Sequence, residues 1–415
     1  MHNPIITDLG FGDAGKGATV DSLATPDSLV VRYNGGPQAA HNVVRDGRHH
    51  TFAQFGSGTM VGARTHLSRF TLINPANMLT EERHLDYLGF NNTFGSTTVD
   101  PRAVIITPFH IAANRIREIA RANGRHGSCG QGVGEARRLQ LDGLSLTAGD
   151  IGTPACEEVL RAIQYRLVGE IEEIFEGAVV NNAVAQQEWQ VLCQHDLRPV
   201  TKVYEKWARL VTLRPDDWIA AYDGRLIFEG AQGVLLDETH GFGPHNTWTD
   251  CTPRNAITLC REAGVLGTPT AVVRTYMTRH GAGPLPTEDP LFTAGKPEAH
   301  NGTGEYQGAW RAGALDLPLL RYAIDACDAE FTALVVTHLD RVPDQGWYVC
   351  ENYRLDGHPL MQVDPFRIWD VMPVYNLWSL NEHSYALQMS EELGIPIFQT
   401  AYGPTAEDRY TYAQV

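Results

Sequence analysis

Short continuous apolar runs punctuate the chain, each ending at a glycine or a charge. Ile5 to Leu9 and Leu29 to Tyr33 read as strands, and between them a glycine-rich turn leads into a predicted helix from Lys16 to Leu23. Strand, loop, helix, strand is the entry to a parallel sheet of the α/β class. Leu226 to Phe228, Ala271 to Arg274 and Ala333 to Thr337 are further buried-strand candidates, each running into a glycine- or charge-bearing loop. Helical spacing marks residues 109–122 (Ile111, Ala112, Ile116, Ile119, Ala120) and residues 157–176 (Val159, Leu160, Ile163, Leu167, Ile171, Ile174). In open α/β sheets ligands gather at the carboxyl ends of strands, so the loops after these runs are expected to carry the chemistry. There is no internal repeat, low-complexity segment or linker. Residues 1–415 are therefore expected to form one continuous unit with a smaller, more irregular C-terminal part.

Composition narrows the class. With 43% hydrophobic and 20% charged residues the chain reads as a soluble globular enzyme. No apolar run reaches the roughly 18 residues of a membrane span. The start has no basic n-region or signal-like stretch, so a cytoplasmic protein is expected. A formal net charge of −16 argues against a nucleic-acid surface but leaves room for local basic sites that take small phosphates. The seven cysteines are scattered with no C-x-x-C pair and are expected to be reduced, packed thiols.

The strongest motif is Gly10-Phe11-Gly12-Asp13-Ala14-Gly15-Lys16-Gly17, between the first strand and the first helix. Glycines let backbone amides approach phosphate oxygens, the helix N-terminus favours anions, and Lys16 adds a cation. Gly17 replaces the Walker Ser or Thr. Asp13 puts a carboxylate among phosphates, which is costly unless it binds Mg²⁺ or takes a substrate proton. A second glycine turn, Asn34-Gly35-Gly36-Pro37-Gln38-Ala39-Ala40-His41, follows the next strand. Its His41 is a candidate general acid or partner of a transferring phosphoryl group. The bland alternatives are a glycine turn with a capping Asp and a structural His.

These loops, together with Val30-Val31-Arg32-Tyr33-Asn34-Gly35-Gly36, Glu229-Gly230-Ala231-Gln232-Gly233-Val234-Leu235-Leu236-Asp237, Thr278-Arg279-His280-Gly281-Ala282-Gly283-Pro284-Leu285-Pro286-Thr287-Glu288, Thr337-His338-Leu339-Asp340 and Gly403-Pro404, resemble the ordered motifs of the adenylosuccinate synthetases over nearly the whole chain. The resemblance implies a P-loop-like, mostly parallel central sheet flanked by helices, with small antiparallel additions, in a homodimer. It implies a purine nucleoside monophosphate and L-aspartate as substrates, ATP or GTP as phosphoryl donor, and Mg²⁺ at Asp13 and Ala40. Asp13 would take the proton from purine N1, and O6 would attack the γ-phosphate beside His41. The aspartate amine would then displace phosphate from C6. Gln232, Asn34 and Gln38 would contact the nucleotide substrate, and Ser128, Cys129, Thr247 and Arg138 its phosphate end. Gly12, Gly15, Lys16, Gly17, His338, Asp340, Gly403 and Pro404 would hold the donor, and Thr303 and Arg311 the aspartate.

The chain departs from the family at informative places. Ala14 replaces a Glu, His338 replaces a Lys, and Cys129 swaps a hydroxyl for a weak thiol donor. The arginine-rich aspartate loop is reduced to Arg311 within His300-Asn301-Gly302-Thr303-Gly304-Glu305-Tyr306-Gln307-Gly308-Ala309-Trp310-Arg311. The family's cross-subunit arginine has no match, with Arg137 and Arg138 nearby. The altered loop looks like the phage-type 2-aminoadenylosuccinate branch, which acts on dGMP. That makes GMP or dGMP the favoured acceptor, with Ala14 adding space, while the retained Asp13 argues toward IMP. A GTPase switch lacks its Walker hydroxyl and base motif. An inactive nucleotide-binding paralogue has no physical need to keep Asp13, Lys16 and His41 together.

Overall fold

The computed structural model describes residues 3–412 except 297, 299–301, 305, 343–346 and 379–380. Its frame is a ten-stranded sheet. In chain order the strands are β1 (Pro4–Asp8), β2 (Leu29–Arg32), β3 (Arg64–Leu67), β4 (Thr97–Val99), β5 (Thr212–Leu213), β6 (Leu226–Gly233), β7 (Thr268–Arg274), β8 (Ala333–Thr337), β9 (Ile397–Ala401) and β10 (Arg409–Thr411). Across the sheet they run β10-β9-β8-β7-β1-β6-β2-β3-β4-β5. Every neighbouring pair is parallel except β9 with β10. β1 lies at the centre, and all five of its residues are buried, which is why its sequence is a run rather than an alternation.

The predicted helix Lys16–Leu23 (α1) has those bounds, entered from Gly15 at φ +84°. The stretch predicted over 109–122 is the helix Pro108–Ala120, set by a Thr107–His110 capping box and proline in the first turn. The stretch predicted over 157–176 is Ala155–Ile174, followed by a π turn at Phe175–Val179. These two pack with Ala183–Leu192 and Arg198–Ala208 in a core built on Phe109, Ile116, Leu160, Leu167 and Trp207, which also takes in Leu67 and Val99 of the sheet. No helix among the described residues is long and apolar enough to cross a membrane.

The antiparallel additions are the hairpin His41–Arg45 with Arg48–Phe52, the pair Met277–His280 with Trp310–Gly313, and the three-stranded unit Trp347–Leu355, His358–Leu360 and Met372–Trp378. The first two bear on function, because the hairpin opens with His41 and the pair joins His280 to Trp310 and Arg279 to Arg311.

At the sheet centre the close approach of β6 to the first loop leaves no room for a side chain. A β-carbon on Gly233 would lie 2.1 Å from Gly10 O and 2.5 Å from Gly12 N. Gly233→Ala must push the loop off the sheet. It is expected to lower stability by about 3 kcal/mol in urea unfolding. An unchanged midpoint would show that the loop yields freely.

Candidate functional site

The loop after β1 is organised by a carboxylate at the strand's end. Asp8, fully buried, accepts from Gly10 N (2.8 Å), Ala14 N (3.3 Å) and Lys16 Nζ (2.9 Å). The chain then turns through Gly12 (φ +102°), Asp13 (φ +59°) and Gly15 (φ +84°) into α1. Positive φ is cheap for glycine and tolerated by Asp. Gly17 has a different reason: a β-carbon there would stand 2.7 Å from His41 Cβ. The missing Walker hydroxyl is therefore where His41 packs against the helix.

His41 is buried, with Nδ1 2.5 Å from Glu229 Oε1 and Nε2 3.1 Å from Ala231 O. Both ring nitrogens face acceptors, a geometry that suits a doubly protonated ring, but burial opposes that charge. Burial pulls its pKa below the ordinary histidine value, with Arg32 and Lys16 acting the same way against Glu229. Glu229 is fully buried and also receives Ser57 N (3.0 Å) and the Ser57 hydroxyl. Burial raises its pKa, but Arg32, His41 and Ser57 outweigh burial and hold it down at about 2, so Glu229 stays ionised and orients the ring. Glu229 stands in the Glu-Gly-Ala-Gln-Gly motif, and its role becomes visible only in the fold. The only signal was a carboxylate inside an otherwise buried strand.

Asp13 faces His280, with Nε2 3.1 Å from Oδ2, and its backbone carbonyl accepts from Arg274 Nη1 at 3.1 Å. Burial pushes the carboxyl up, while the hydrogen bond and charge of His280, then Arg274 and Lys16, bring it below the ordinary value. Asp13 is thus an ionised base at neutral pH. Arg274 also meets the carboxylate of Glu298, which receives the Tyr276 hydroxyl as well. Ala14 points the other way: its methyl lies in the core with Ile6, Val20, Val272 and Val335, so it opens no space at the site.

The second glycine turn sits against the end of β6. A β-carbon on Gly35 would be 2.2 Å from Ala231 Cβ and 3.0 Å from Gln232 Oε1, and one on Gly36 would be 3.1 Å from Gln38 Oε1. The amide groups of Gln38 and Gln232 are buried without hydrogen-bond partners. Asn34 differs: its amide is committed to Ala231 N (2.8 Å) and Asp250 O (2.7 Å) and braces the turn.

The segments carrying Ser128 and Thr247 meet where His245 Nδ1 lies 3.1 Å from His126 O. Ser128 Oγ accepts from Asn114 Nδ2 at 2.9 Å, whereas burial pushes the Cys129 thiol up to about 11, which leaves it protonated rather than nucleophilic. The Thr303 segment borders this loop: a β-carbon on Gly127 would be 3.5 Å from Gln307 O, and one on Gly130 would be 2.8 Å from the Tyr306 ring. Thr303 is exposed, and His300, Asn301 and Glu305 lie outside the described residues. Arg311 donates to Gly281 O (2.9 Å) and Gly283 O (2.8 Å) and pairs with Glu288. Arg138 is engaged within the chain by Glu170 (2.6 Å) and Glu135 (3.0 Å), and Arg137 reaches Glu238 at 3.4 Å.

At the other end of the first loop, Thr337 Oγ1 donates to Ala14 O (2.9 Å), which brings His338 and Asp340 beside Gly15. His338 adopts φ +59°; burial, then Arg274, Arg341 and Arg409, keep it neutral. Burial, with Asp408 nearby, raises the Asp340 carboxyl. Gly403 is pressed against Asp408, where a β-carbon would be 2.5 Å from the carboxylate, and Pro404 is exposed beside it.

No group of three or more His, Cys, Asp or Glu able to hold a metal occurs among the described residues. One carboxylate, Asp13, with the backbone of exposed Ala40, still fits Mg²⁺, which is commonly held by one or two carboxylates while substrate phosphates and water complete the shell.

A family model described as adenylosuccinate synthetase matches residues 5–402. An adenylosuccinate synthetase of Desulfovibrio desulfuricans is 28% identical over 384 residues, covering 90% of this chain and 88% of the relative. One of Francisella tularensis subsp. novicida is 28% identical over 437 residues, covering 98% and 97%. The fully ligated adenylosuccinate synthetase of Plasmodium falciparum has the same fold, with TM-score 0.79 at 18% identity and full coverage of both chains. The cyanophage S-2L succinoaminodeoxyadenylate synthetase (PurZ), bound to dGMP and dATP, gives TM-score 0.58 at 15% identity over 99% of this chain and 95% of that one.

The depressed Glu229 carboxyl fixes a sign. Its contribution to stability is fully present above the ordinary glutamate value of 4.5 and is lost as pH falls toward about 2. Glu229→Gln should remove that component. Its urea midpoint should fall less steeply than the native one across this window; parallel curves would show that Glu229 is not ionised in the fold.

Proposed function

The chain belongs to the adenylosuccinate synthetase family of C–N bond-forming ligases, and on that premise we propose that it joins the amino group of L-aspartate to C6 of a 6-oxopurine mononucleotide, driven by a nucleoside triphosphate. The observation that carries this reading is the pair of buried amides, Gln38 and Gln232, unpartnered against Gly35 and Gly36. A buried amide without a partner costs free energy, so a polar ligand belongs there. The ring nitrogens and 6-oxo group of a purine supply both donors and acceptors.

The chemistry follows from the neighbours. Asp13, ionised, takes the N1 proton and leaves O6 nucleophilic. O6 attacks the γ-phosphorus and the nucleoside diphosphate leaves. His41, oriented by Glu229, and Lys16 stabilise the transferring charge. The aspartate amine then adds at C6, and phosphate departs with O6. Phosphorylation turns a poor leaving group into a good one. Mg²⁺, when bound at Asp13 and Ala40, offsets polyphosphate charge.

For the acceptor we place IMP first. The Asp13 carboxylate is intact and needs only one N1 proton to accept, and Ala14, buried in the core, lends no room for a 2-amino group. The relatives carrying the adenylosuccinate synthetase name support the same choice. The second reading, GMP or dGMP, rests on the single-arginine loop ending at Arg311. For the donor we place GTP ahead of ATP, because Asp340 offers two acceptors to guanine N1–H and its 2-amino group.

Aspartate with GTP or ATP and, in parallel, IMP, GMP or dGMP, read by mass, is expected to give a succino-adduct of IMP. An adduct of GMP or dGMP alone would transfer the chain to the second reading, and no adduct at all would end the ligase reading. Asp13→Asn is expected to lower kcat at least about 100-fold with the thermal midpoint little changed; retained turnover would remove Asp13 from the base role. Arg311→Leu should raise the aspartate KM about tenfold and the nucleotide KM far less, and equal effects would place Arg311 outside the dicarboxylate site.

A further inference from the structure

Arg409 opens strand β10, paired antiparallel with Ala401, after a turn in which Asp408 Oδ2 accepts from Thr405 N (2.9 Å) and Thr405 Oγ1 (2.7 Å). This turn folds the C-terminal segment back onto the first loop. Arg409 Nη1 donates to Thr19 Oγ1 in α1 (3.0 Å) and Gln399 Oε1 in β9 (2.9 Å). Its Nη2 lies against the loop itself: a β-carbon on Gly15 would stand 3.8 Å from it and 3.6 Å from Thr337 Cγ2.

Arg409 has charge without a counter-charge. The hydrogen bonds it makes go to neutral oxygens. The carboxylates that act on it, Asp21 and Asp408, are committed elsewhere, Asp21 to Arg45 at 3.0 Å and Asp408 to Thr405. Burial pulls the guanidinium down to about 10, and Nε is buried without a partner. A half-buried cation in this state is costly unless an anion completes it. Arg409 also acts electrostatically on His338, and its Nη2 lies against Gly15 beside Thr337.

We propose that Arg409 is a binding residue for the polyphosphate of the donor nucleotide, flanking the glycine-rich loop at Gly15 and linking it to the base-end segment at His338 and Asp340. A guanidinium suits this place because its fixed fork leaves Nη2 free for a phosphate oxygen while Nη1 stays anchored on Thr19 and Gln399. The inference rests on the reading that the donor binds at Gly15, Lys16 and Gly17.

The test is equilibrium binding of GTP and ATP, and of their diphosphates, to the full chain and to Arg409→Met, Arg409→Lys and Lys16→Ala, with steady-state KM values for donor, acceptor and aspartate. Arg409→Met is expected to weaken triphosphate and diphosphate binding about 10- to 100-fold and to raise the donor KM in step. The acceptor and aspartate KM should stay within about twofold, and Arg409→Lys should recover part of the loss. A merely structural Arg409 would lower the ligand-free melting temperature without separating the donor KM from the others. Donor binding by Arg409→Met, or by Arg409→Lys if Met does not fold, that matches the native protein while Lys16→Ala loses it would overturn the proposal. Native-like binding in Lys16→Ala as well would instead overturn the donor-site reading beneath it.

Discussion

The Asp8 carboxylate is the fixed point of this molecule. It sits at the carboxyl end of the central strand with no exposure, and its ion pair with Lys16 is worth keeping only because loop amides fill its remaining acceptor sites. That arrangement sets where the glycine loop turns, where α1 begins and therefore where Gly17 lets His41 approach. Glu229, midway along the neighbouring strand, then orients His41, and Gly233 at that strand's end presses against the same loop. The glycine loop, Asp13, His41 and the strand end are one mechanical unit built around the sheet's middle.

The electrostatics are local rather than global. A chain of net charge −16 offers anions no general attraction, so binding must come from a few cations held close together. Burial keeps His338 neutral, with Arg274, Arg341 and Arg409 acting the same way. Arg274 meets Glu298 and Arg341 lies 3.7 Å from Asp340, whereas Arg409 is held by neutral groups. Around the second glycine turn the polar groups are amides, with Gln38 and Gln232 buried and unpartnered while Asn34 is used in holding the turn.

Much of this was legible in the chain because it is local. The central strands are continuous apolar runs, α1 has the predicted bounds, and the loops between them carry their glycines and charges in sequence. The outer strands Arg64–Leu67, Thr97–Val99 and Thr212–Leu213 were not legible, being short and polar and strands only because a neighbour offers its edge. Facing direction was equally hidden: Ala14 sits in the loop motif, yet its methyl belongs to the core. Glu229, Arg274, His280 and Arg409 acquire their meaning from contacts across long stretches of chain, such as His41 with Glu229 and Thr19 with Arg409, which no spacing rule encodes.

The central claim is that the 6-oxo group is phosphorylated before the amine arrives, so the oxygen bound to C6 must leave with the phosphate. Turnover of acceptor nucleotide labelled with heavy oxygen at C6, followed by mass analysis of the released inorganic phosphate, tests this directly. The account predicts that each phosphate formed carries the labelled oxygen from the purine. Unlabelled phosphate, released while the succino-adduct forms, would contradict it and would mean that triphosphate cleavage and C–N bond formation are joined in some other way.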